Sequence, residues 1–311
     1  MKCHLILNPR SKGGKAAIQF DKIFRLMTGA GIEYDYIMAD TYATIREASI
    51  NAHAGEYDAI VAVGGDGTIN AVVNGFYDEN GSTRSGKKMG VIYTGTSPDF
   101  CKSYGVPLGL EEAVNTIRMG VVRKIRIGRI RLRTDPARDI TEFRYFSCCA
   151  SIGIGAMVAA KANRFRRHLG DTAGTLAAIL SSLFKFHPVE MIIKTGSEER
   201  AFARVTNIFV GRTKYIASGL RVKEPMADDD GRFYIVCVKN LNLAWLPGLL
   251  RQLYTGNISN SPVLDLSYSD SVSIFSKNAG TGVEFDGDPA GSIPCTIEIA
   301  ISPLNLIVYN S

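Results

Sequence analysis

From residue 1 to residue 119, short all-apolar runs alternate with stretches in which apolar positions recur every three or four residues. Cys3 to Leu7 reads as a buried strand that ends at the turn Asn8-Pro9. Lys15 to Met27 has helical spacing, with Ala16, Phe20, Ile23, Phe24 and Met27 on one face and Gly29 as a stop. Tyr34–Met38 is a second strand, and Thr44–Ala54 a helix with Ile45, Ala48 and Ala52 inward. Ala59–Val63 carries no charge, so this strand is predicted to be covered on both faces. Thr68–Phe76 is a helix bearing Ile69, Val72, Val73 and Phe76; Met89–Tyr93 is a strand, and Glu111–Met119 a further helix. Strands that alternate with helices in this way build a mostly parallel sheet flanked by helices.

Beyond residue 120 the pattern changes. Strand-like runs dominate, at 125–133, 143–150, 190–194, 204–210, 232–238, 271–275, 295–301 and 304–309, with turn residues between them. Only Thr172–Phe186 and Leu243–Tyr254 interrupt with helical spacing. An antiparallel sandwich is the architecture such a run of strands predicts. The expected division is therefore 1–124 for an α/β domain and 125–311 for a β-sandwich, with the last strand free to return to the first domain. No repeat and no low-complexity segment breaks this plan.

Composition narrows the classes. With 36 Lys plus Arg against 30 Asp plus Glu, the net charge of +6 is far from that of a dedicated nucleic-acid binder. It suits attraction to phosphate or anionic lipid without requiring either. No window holds the roughly 18 uninterrupted apolar residues that a membrane-spanning helix needs. The six cysteines, Cys3, Cys101, Cys148, Cys149, Cys237 and Cys295, form no CxxC pair and have mostly apolar neighbours. They read as buried thiols of a cytoplasmic protein. The four histidines share no ligand spacing, which argues against zinc.

The sharpest local signal is Gly64-Gly65-Asp66-Gly67-Thr68-Ile69-Asn70, between an apolar strand and a helix. Glycines let backbone approach a ligand closely, and the helix start offers N–H groups to phosphate. Asp66 beside phosphate would repel it, so a bridging Mg²⁺ is implied; a plain strand-to-helix turn capped by Asp66 is the structural alternative. The motif is neither a GxGxxG fingerprint, since Asn70 replaces the third glycine, nor a Walker A loop. Asn8-Pro9-Arg10-Ser11-Lys12-Gly13-Gly14-Lys15 is a second strand-to-helix connection able to cradle phosphate, or equally a solvated turn. Tyr93 to Phe100 follows a strand and offers Thr96 and Ser97, with Asp99 able to cap the next helix. Late in the chain, Phe285-Asp286-Gly287-Asp288 sets two carboxylates one residue apart, pointing to the same side if the segment is extended. One is suited to general-base work and the other to orienting it or a metal, while a β-turn explains the same residues. Asp228-Asp229-Asp230-Gly231 suits a divalent cation or a charged turn.

In order, NPRS with GG at 8–14, GGDGTIN at 64–70, GT followed by Asp-Phe at 95–100, P-x-A-x-x-DG at 225–231 and DGD at 286–288 resemble the diacylglycerol kinase catalytic-domain family, which includes soluble bacterial lipid kinases and the sphingosine and ceramide kinases. The resemblance covers nearly the whole chain. It implies an NAD-kinase/diacylglycerol-kinase-like α/β nucleotide domain followed by a β-sandwich, with ATP and lipid meeting between them. By that resemblance Asn8, Arg10, Ser11, Gly64, Gly65, Asp66, Gly67, Thr68, Asn70 and Thr96 should hold ATP and Mg²⁺, with Thr41 added by approximate spacing. Asp66 should carry the catalytic metal, Asp288 should be the general base, and Asp286 should assist it. Asp230 with the carbonyls of Ala227 and Arg232 should form a structural Mg²⁺ site.

Three residues depart from the family pattern: Pro98 where GTxND has Asn, Asp288 where DGE has Glu, and Arg212 where Asn is common. The implied activity is ATP- and Mg²⁺-dependent phosphorylation of a hydroxyl on diacylglycerol or a related lipid, by a cytoplasmic protein, possible as a homodimer, in peripheral contact with the inner membrane face and without nucleic-acid partners. The alternatives are an NAD kinase-like phosphotransferase, which shares GGDG, and a catalytically impaired lipid- or nucleotide-binding protein, which Pro98 and Asp288 would favour. For membrane contact, the basic run Lys161–His168 and the apolar positions Leu176, Ile179, Leu180, Leu183 and Phe184 are candidates, with Trp245-Leu246 and Leu249-Leu250 on the second helical pattern. Packing of both helices on the sandwich is the alternative.

Overall fold

The structure is a computed structural model that describes residues 1–135, 138–196, 198–216, 220–222, 226–227, 230–256, 261–277 and 280–309. Pro225, Asp228 and Asp229 of the P-x-A-x-x-DG segment lie outside the described residues. The chain forms two units, Met1–Ile127 with Ala300–Ser311, and Gly128–Ile299.

The first unit runs β1 (Lys2–Leu7), α1 (Phe20–Gly29), β2 (Glu33–Met38), α2 (Tyr42–Ala52), β3 (Ala59–Gly64), α3 (Asp66–Phe76), β4 (Lys88–Tyr93), α4 (Asp99–Tyr104), α5 (Leu110–Met119) and β5 (Val122–Ile125). The second begins with β6 (Gly128–Asp135), β7 (Ile140–Phe146) and β8 (Cys149–Gly153), followed by the helices α6 (Ile154–Leu169) and α7 (Asp171–Leu183). Then come β9 (Val189–Thr195), β10 (Glu198–Gly211), the short ribbon β11 (Tyr215–Ile216) and β12 (Leu220–Arg221), β13 (Phe233–Lys239) and α8 (Leu246–Thr255). It ends with β14 (Leu264–Ser269), β15 (Ser271–Phe275), β16 (Gly282–Phe285) and β17 (Asp288–Ile299). The chain then re-enters the first unit as β18 (Leu304–Ile307).

In the first unit the sheet order is β2-β1-β3-β4-β18-β5, with β1, β2, β3 and β4 parallel. β18 lies parallel to β4 and antiparallel to β5. Every residue of β3 is buried, as its charge-free sequence requires of a central strand. On one face Leu5, Leu7, Val61 and Val63 pack with Phe20, Ile23 and Met27 of α1. The α-helix expected from Lys15 starts only at Phe20, and ahead of it Lys12, Gly13 and Gly14 take positive φ values of 53°, 67° and 90°. The chain between Ser11 and Gln19 is spent in two short 3₁₀ turns.

The second unit is antiparallel throughout its main sheet, and its pairings close on themselves. β10 pairs β9 through its first half and β8 through its second, and β8-β16-β17-β15-β9 completes the circuit. The register shift in β10 between Phe202 and Val205 lets one strand serve both neighbours. The closed circuit gives the expected antiparallel sandwich the character of a barrel. Ile130, Phe146, Ile152, Ile208, Ile235 and Ile297 belong to the core inside it. Leu249 and Leu253 of α8 pack outside on Tyr234, Val236 and Val238, so the Leu249 stripe is buried while Trp245 stays exposed.

The α6–α7 hairpin packs through small residues. Ala159, Ala162, Thr175, Ala178 and Ser182 are buried, and a Cβ at Gly174 would come within 2.6 Å of Arg166 Cα. Leu169, Leu180 and Phe184 are left exposed. The basic run is thus helical, and it is partly committed: Lys161 Nζ donates to Ser181 O (3.2 Å) and Ser182 Oγ (3.1 Å), and Arg166 Nε to Thr175 Oγ1 (3.0 Å). The side chain of Arg167 lies outside the described residues. No helix among the described residues is long and apolar enough to cross a membrane.

Candidate functional site

At the carboxyl ends of β1, β3 and β4, three loops of the first unit converge. Asn8 Nδ2 donates to Thr68 Oγ1 (2.9 Å), Ser11 Oγ to Thr94 O (3.4 Å), and Asn8 N to Val63 O (3.0 Å). Gly65 and Gly95 stand back to back: a Cβ built on Gly95 would lie 2.5 Å from Gly65 Cα, so only glycine admits this approach. Between the loops, Gly65 precedes α3 in extended conformation and Asp66 opens the first turn of the helix. Asp66 Oδ2 accepts from Asp99 N at 3.3 Å, which ties the glycine turn to the start of α4. Backbone N–H groups at the head of α3 favour an anion there.

Of the residues expected to hold nucleotide, this arrangement gathers Asn8, Ser11, Gly64, Gly65, Asp66, Gly67 and Thr68. Thr96 lies on the same β4–α4 loop as Gly95 and is exposed. Arg10 is exposed and ion-paired to Asp40 at 3.7 Å, an arrangement worth little by itself. Two others are turned to local work. Thr41 caps α2, accepting from Thr44 N at 3.2 Å, and its hydroxyl meets Thr44 Oγ1 at 2.8 Å. Asn70 is buried within α3, where Asn74 Nδ2 reaches its carbonyl (2.9 Å) and its side-chain oxygen (3.1 Å).

In the second unit, Asp286 and Gly287 are the two central residues of the β16–β17 hairpin, with φ values of 49° and 90°. A two-residue turn of this hand suits Asp-Gly. The extended segment that would point Asp286 and Asp288 to one side is therefore not formed. Asp286 folds back on the β7–β8 connection, accepting from Ser147 N (2.8 Å), Ser147 Oγ (2.9 Å), Cys148 N (2.9 Å) and Cys149 N (3.3 Å). Such a clasp fixes an anion and the hairpin with it, so Asp286 positions the turn. Asp288, half-buried at the head of β17, has its carboxyl pushed up to about 6 by burial and then by the charge of Asp286.

Sequence reasoning passed over Glu284, two residues before the turn. It is buried, accepts from Gly287 N at 3.1 Å, and is pushed up to about 8 by burial, with Asp286 and Asp288 adding to the rise. Only its place in the run Glu-Phe-Asp-Gly-Asp could have signalled a carboxyl cluster. The folded value lies above the ordinary 4.5, so the folded state holds this proton more tightly than the unfolded chain does. Stability is therefore expected to fall as pH rises from about 4.5 to about 8. Glu284→Gln keeps an acceptor for Gly287 N–H and cannot ionise. Melting curves at both ends of that window should show a slope in wild type that the variant flattens; an unchanged slope would assign it to other groups.

The two implied metal sites differ in fit. Among the described residues no three His, Cys, Asp or Glu side chains gather into a cage. The carboxylate of Asp66, at an anion-seeking helix end, does fit a cation shared with phosphates, since Mg²⁺ commonly uses one or two carboxylates and keeps other oxygen ligands. The second donor set does not fit. Arg212 Nη2 donates to Ala227 O at 2.9 Å, Arg212 Nη1 donates to Arg232 O, and Asp230 is paired with the Arg232 side chain at 3.0 Å.

Comparison with known proteins gives a consistent pattern. The family model described as "Diacylglycerol kinase catalytic domain" matches residues 2–130, and "YegS C-terminal NAD kinase beta sandwich-like domain" matches residues 148–308. A "Diacylglycerol kinase" of Staphylococcus epidermidis is 25% identical over 302 residues, covering 94% of this chain and 87% of that protein. One of Bacillus subtilis is 33% identical over 131 residues, or 42% of each chain. Among solved structures, a putative diacylglycerol kinase from Bacillus anthracis aligns with a TM-score of 0.76 at 18% identity, covering 99% of this chain and 97% of its own. Yeast NADH kinase complexed with NADH aligns with a TM-score of 0.57 at 9% identity, covering 100% of this chain and 84% of its own.

Proposed function

The chain belongs to the diacylglycerol kinase catalytic-domain family, and from that premise we propose that it transfers the γ-phosphoryl group of ATP to a hydroxyl of diacylglycerol or a related lipid. The observation that carries the reading is Asp288, a carboxylate lifted to about 6 on a hairpin whose turn is clamped by Asp286. A base of that strength, on a rigid support, is ionised at neutral pH and still basic enough to accept a hydroxyl proton as the phosphoryl group arrives. Asn8, Ser11 and Thr68 hold the glycine turn in shape, and the turn presents backbone N–H groups to the phosphates. Phosphoryl transfer asks mainly for positioning and charge neutralisation, which such a turn supplies. A divalent cation carried with the nucleotide would be held at Asp66, and its chemistry is to offset charge on the transferring group.

Release of ADP by the pure protein tests the reading. It should rise when vesicles contain diacylglycerol and stay at background with NAD in solution. Release driven by NAD alone would favour the dinucleotide kinase reading that the yeast NADH kinase likeness brings to mind.

Access to lipid is proposed through the α6–α7 hairpin, where Leu169, Leu180 and Phe184 are exposed beside the basic run. One basic residue near an anionic surface contributes about 1 kcal/mol, about fivefold in binding. Arg164→Gln combined with Leu180→Ser and Phe184→Ser should therefore lower sedimentation with anionic vesicles by tenfold or more while leaving ATP affinity unchanged. Equal partitioning of variant and wild type would remove the hairpin from membrane contact.

A further inference from the structure

We propose that the guanidinium of Arg212 is a built-in cation that replaces a divalent metal at the β10–β13 end of the second unit. The carbonyls of Ala227 and Arg232 and the carboxylate of Asp230 are the oxygen donors in question. Each is already satisfied by nitrogen. Ala227 O accepts from Arg212 Nη2 (2.9 Å) and from Asp230 N (3.1 Å), which uses both of its lone pairs. Arg232 O accepts from Arg212 Nη1. Asp230 Oδ1 accepts from Arg232 N (2.9 Å) and Nε (3.1 Å), and Oδ2 from Arg232 Nη2 (3.0 Å).

Arg212 is placed to do this by its own backbone. It follows directly on the last residue of β10, with its N–H donating to Cys148 O (3.2 Å) and its carbonyl accepting from Met226 N (3.0 Å). The residue is 6% exposed, so its charge is expected to need partners nearby. It finds them in two carbonyl dipoles and, at longer range, in Asp230, whose carboxyl is held below the usual carboxylate range first by the Arg232 hydrogen bond and also by the charge of Arg212. A planar, permanently charged fork can bridge two carbonyls at once, as a point-charge ammonium cannot. A metal arriving here would have to break these bonds and sit against a fixed positive charge. Asn, the residue common at this position in the family, offers no such charge, which is why the substitution matters. Metal binding and stability at this position do not depend on which lipid is phosphorylated.

Thermal unfolding of the full-length protein without nucleotide, in EDTA and in millimolar MgCl₂, tests it alongside direct titration with Mn²⁺. Wild type should melt at the same temperature in both buffers and show no Mn²⁺ site that Asp230→Asn removes. Arg212→Asn should melt lower in EDTA, by about 5 °C, the shift typical for loss of charged hydrogen bonds in a chain of this size. Mg²⁺ should restore it, and adding Asp230→Asn should cancel the rescue. Wild-type stability that rises with Mg²⁺ and loses that rise in Asp230→Asn would overturn the proposal. So would an Arg212→Asn protein that melts like wild type in EDTA. If Arg212→Asn does not fold, the wild-type and Asp230→Asn comparison alone decides between a bound metal and the guanidinium.

Discussion

Asp66→Ala is expected to fold normally and to lose nearly all phosphoryl transfer. The residue contributes little to the core: it is partly exposed in the first turn of α3, and the bond it accepts from Asp99 N is long at 3.3 Å. Its carboxylate is nonetheless the acidic group set among the backbone N–H groups of the Gly64–Gly67 turn. Removing it should leave the phosphates bound less precisely and their charge uncompensated. Metal-borne charge stabilisation in such a step is worth several kcal/mol, so a fall of roughly 10³-fold or more is expected. Circular dichroism and a melting curve should match wild type. A folded variant with near-normal turnover would take the metal role away from Asp66.

The second large effect is expected at Asp288. Asp288→Asn should lower turnover by about 10²-fold or more, the usual cost of losing a general base, while ATP still binds. The wild-type rate should also fall on the acid side with a midpoint near 6, where protonation removes the base, and the variant should lose that limb. Asp288→Glu should keep activity, since it restores the residue usual in the family and the same chemistry one methylene further out. An active Asn variant with the wild-type pH profile would contradict the assignment.

How much of this was legible in the sequence depends on the size of the residues at each interface. β1, β3 and α3 are packed by Leu, Ile, Val and Phe, so their periodicity is strong and their positions were readable to within a few residues, while α1 begins five residues later than its spacing suggests. The helix α6 was not readable, because after Ile154 its described buried positions include Ala159 and Ala162, and small side chains carry little hydrophobic rhythm. The α7 stripe is divided by the same packing: Thr175 and Ser182 are buried, Leu176, Ile179 and Leu183 are half-buried, and Leu180 and Phe184 are exposed. Ring closure of the second unit could not be read, since the doubling of β10 depends on a bulge near Phe202 that no residue type announces. At the candidate site, the glycines gave away the turn at 64–67, while the neighbours that shape it are separated by long stretches of chain, as with Asn8 and Thr68. Arg212 was visible as a departure, but its bonds to the carbonyls of Ala227 and Arg232 were not.

The central claim is most directly tested by following the γ-phosphate itself. Pure protein with γ-labelled ATP, Mg²⁺ and a panel of diacylglycerol, ceramide, sphingosine and NAD should move label into an organic-extractable lipid phosphate. Asp288→Asn, run beside it, should move at least about 10²-fold less. Label appearing in the dinucleotide, or remaining in ATP and inorganic phosphate with every acceptor, would contradict the account.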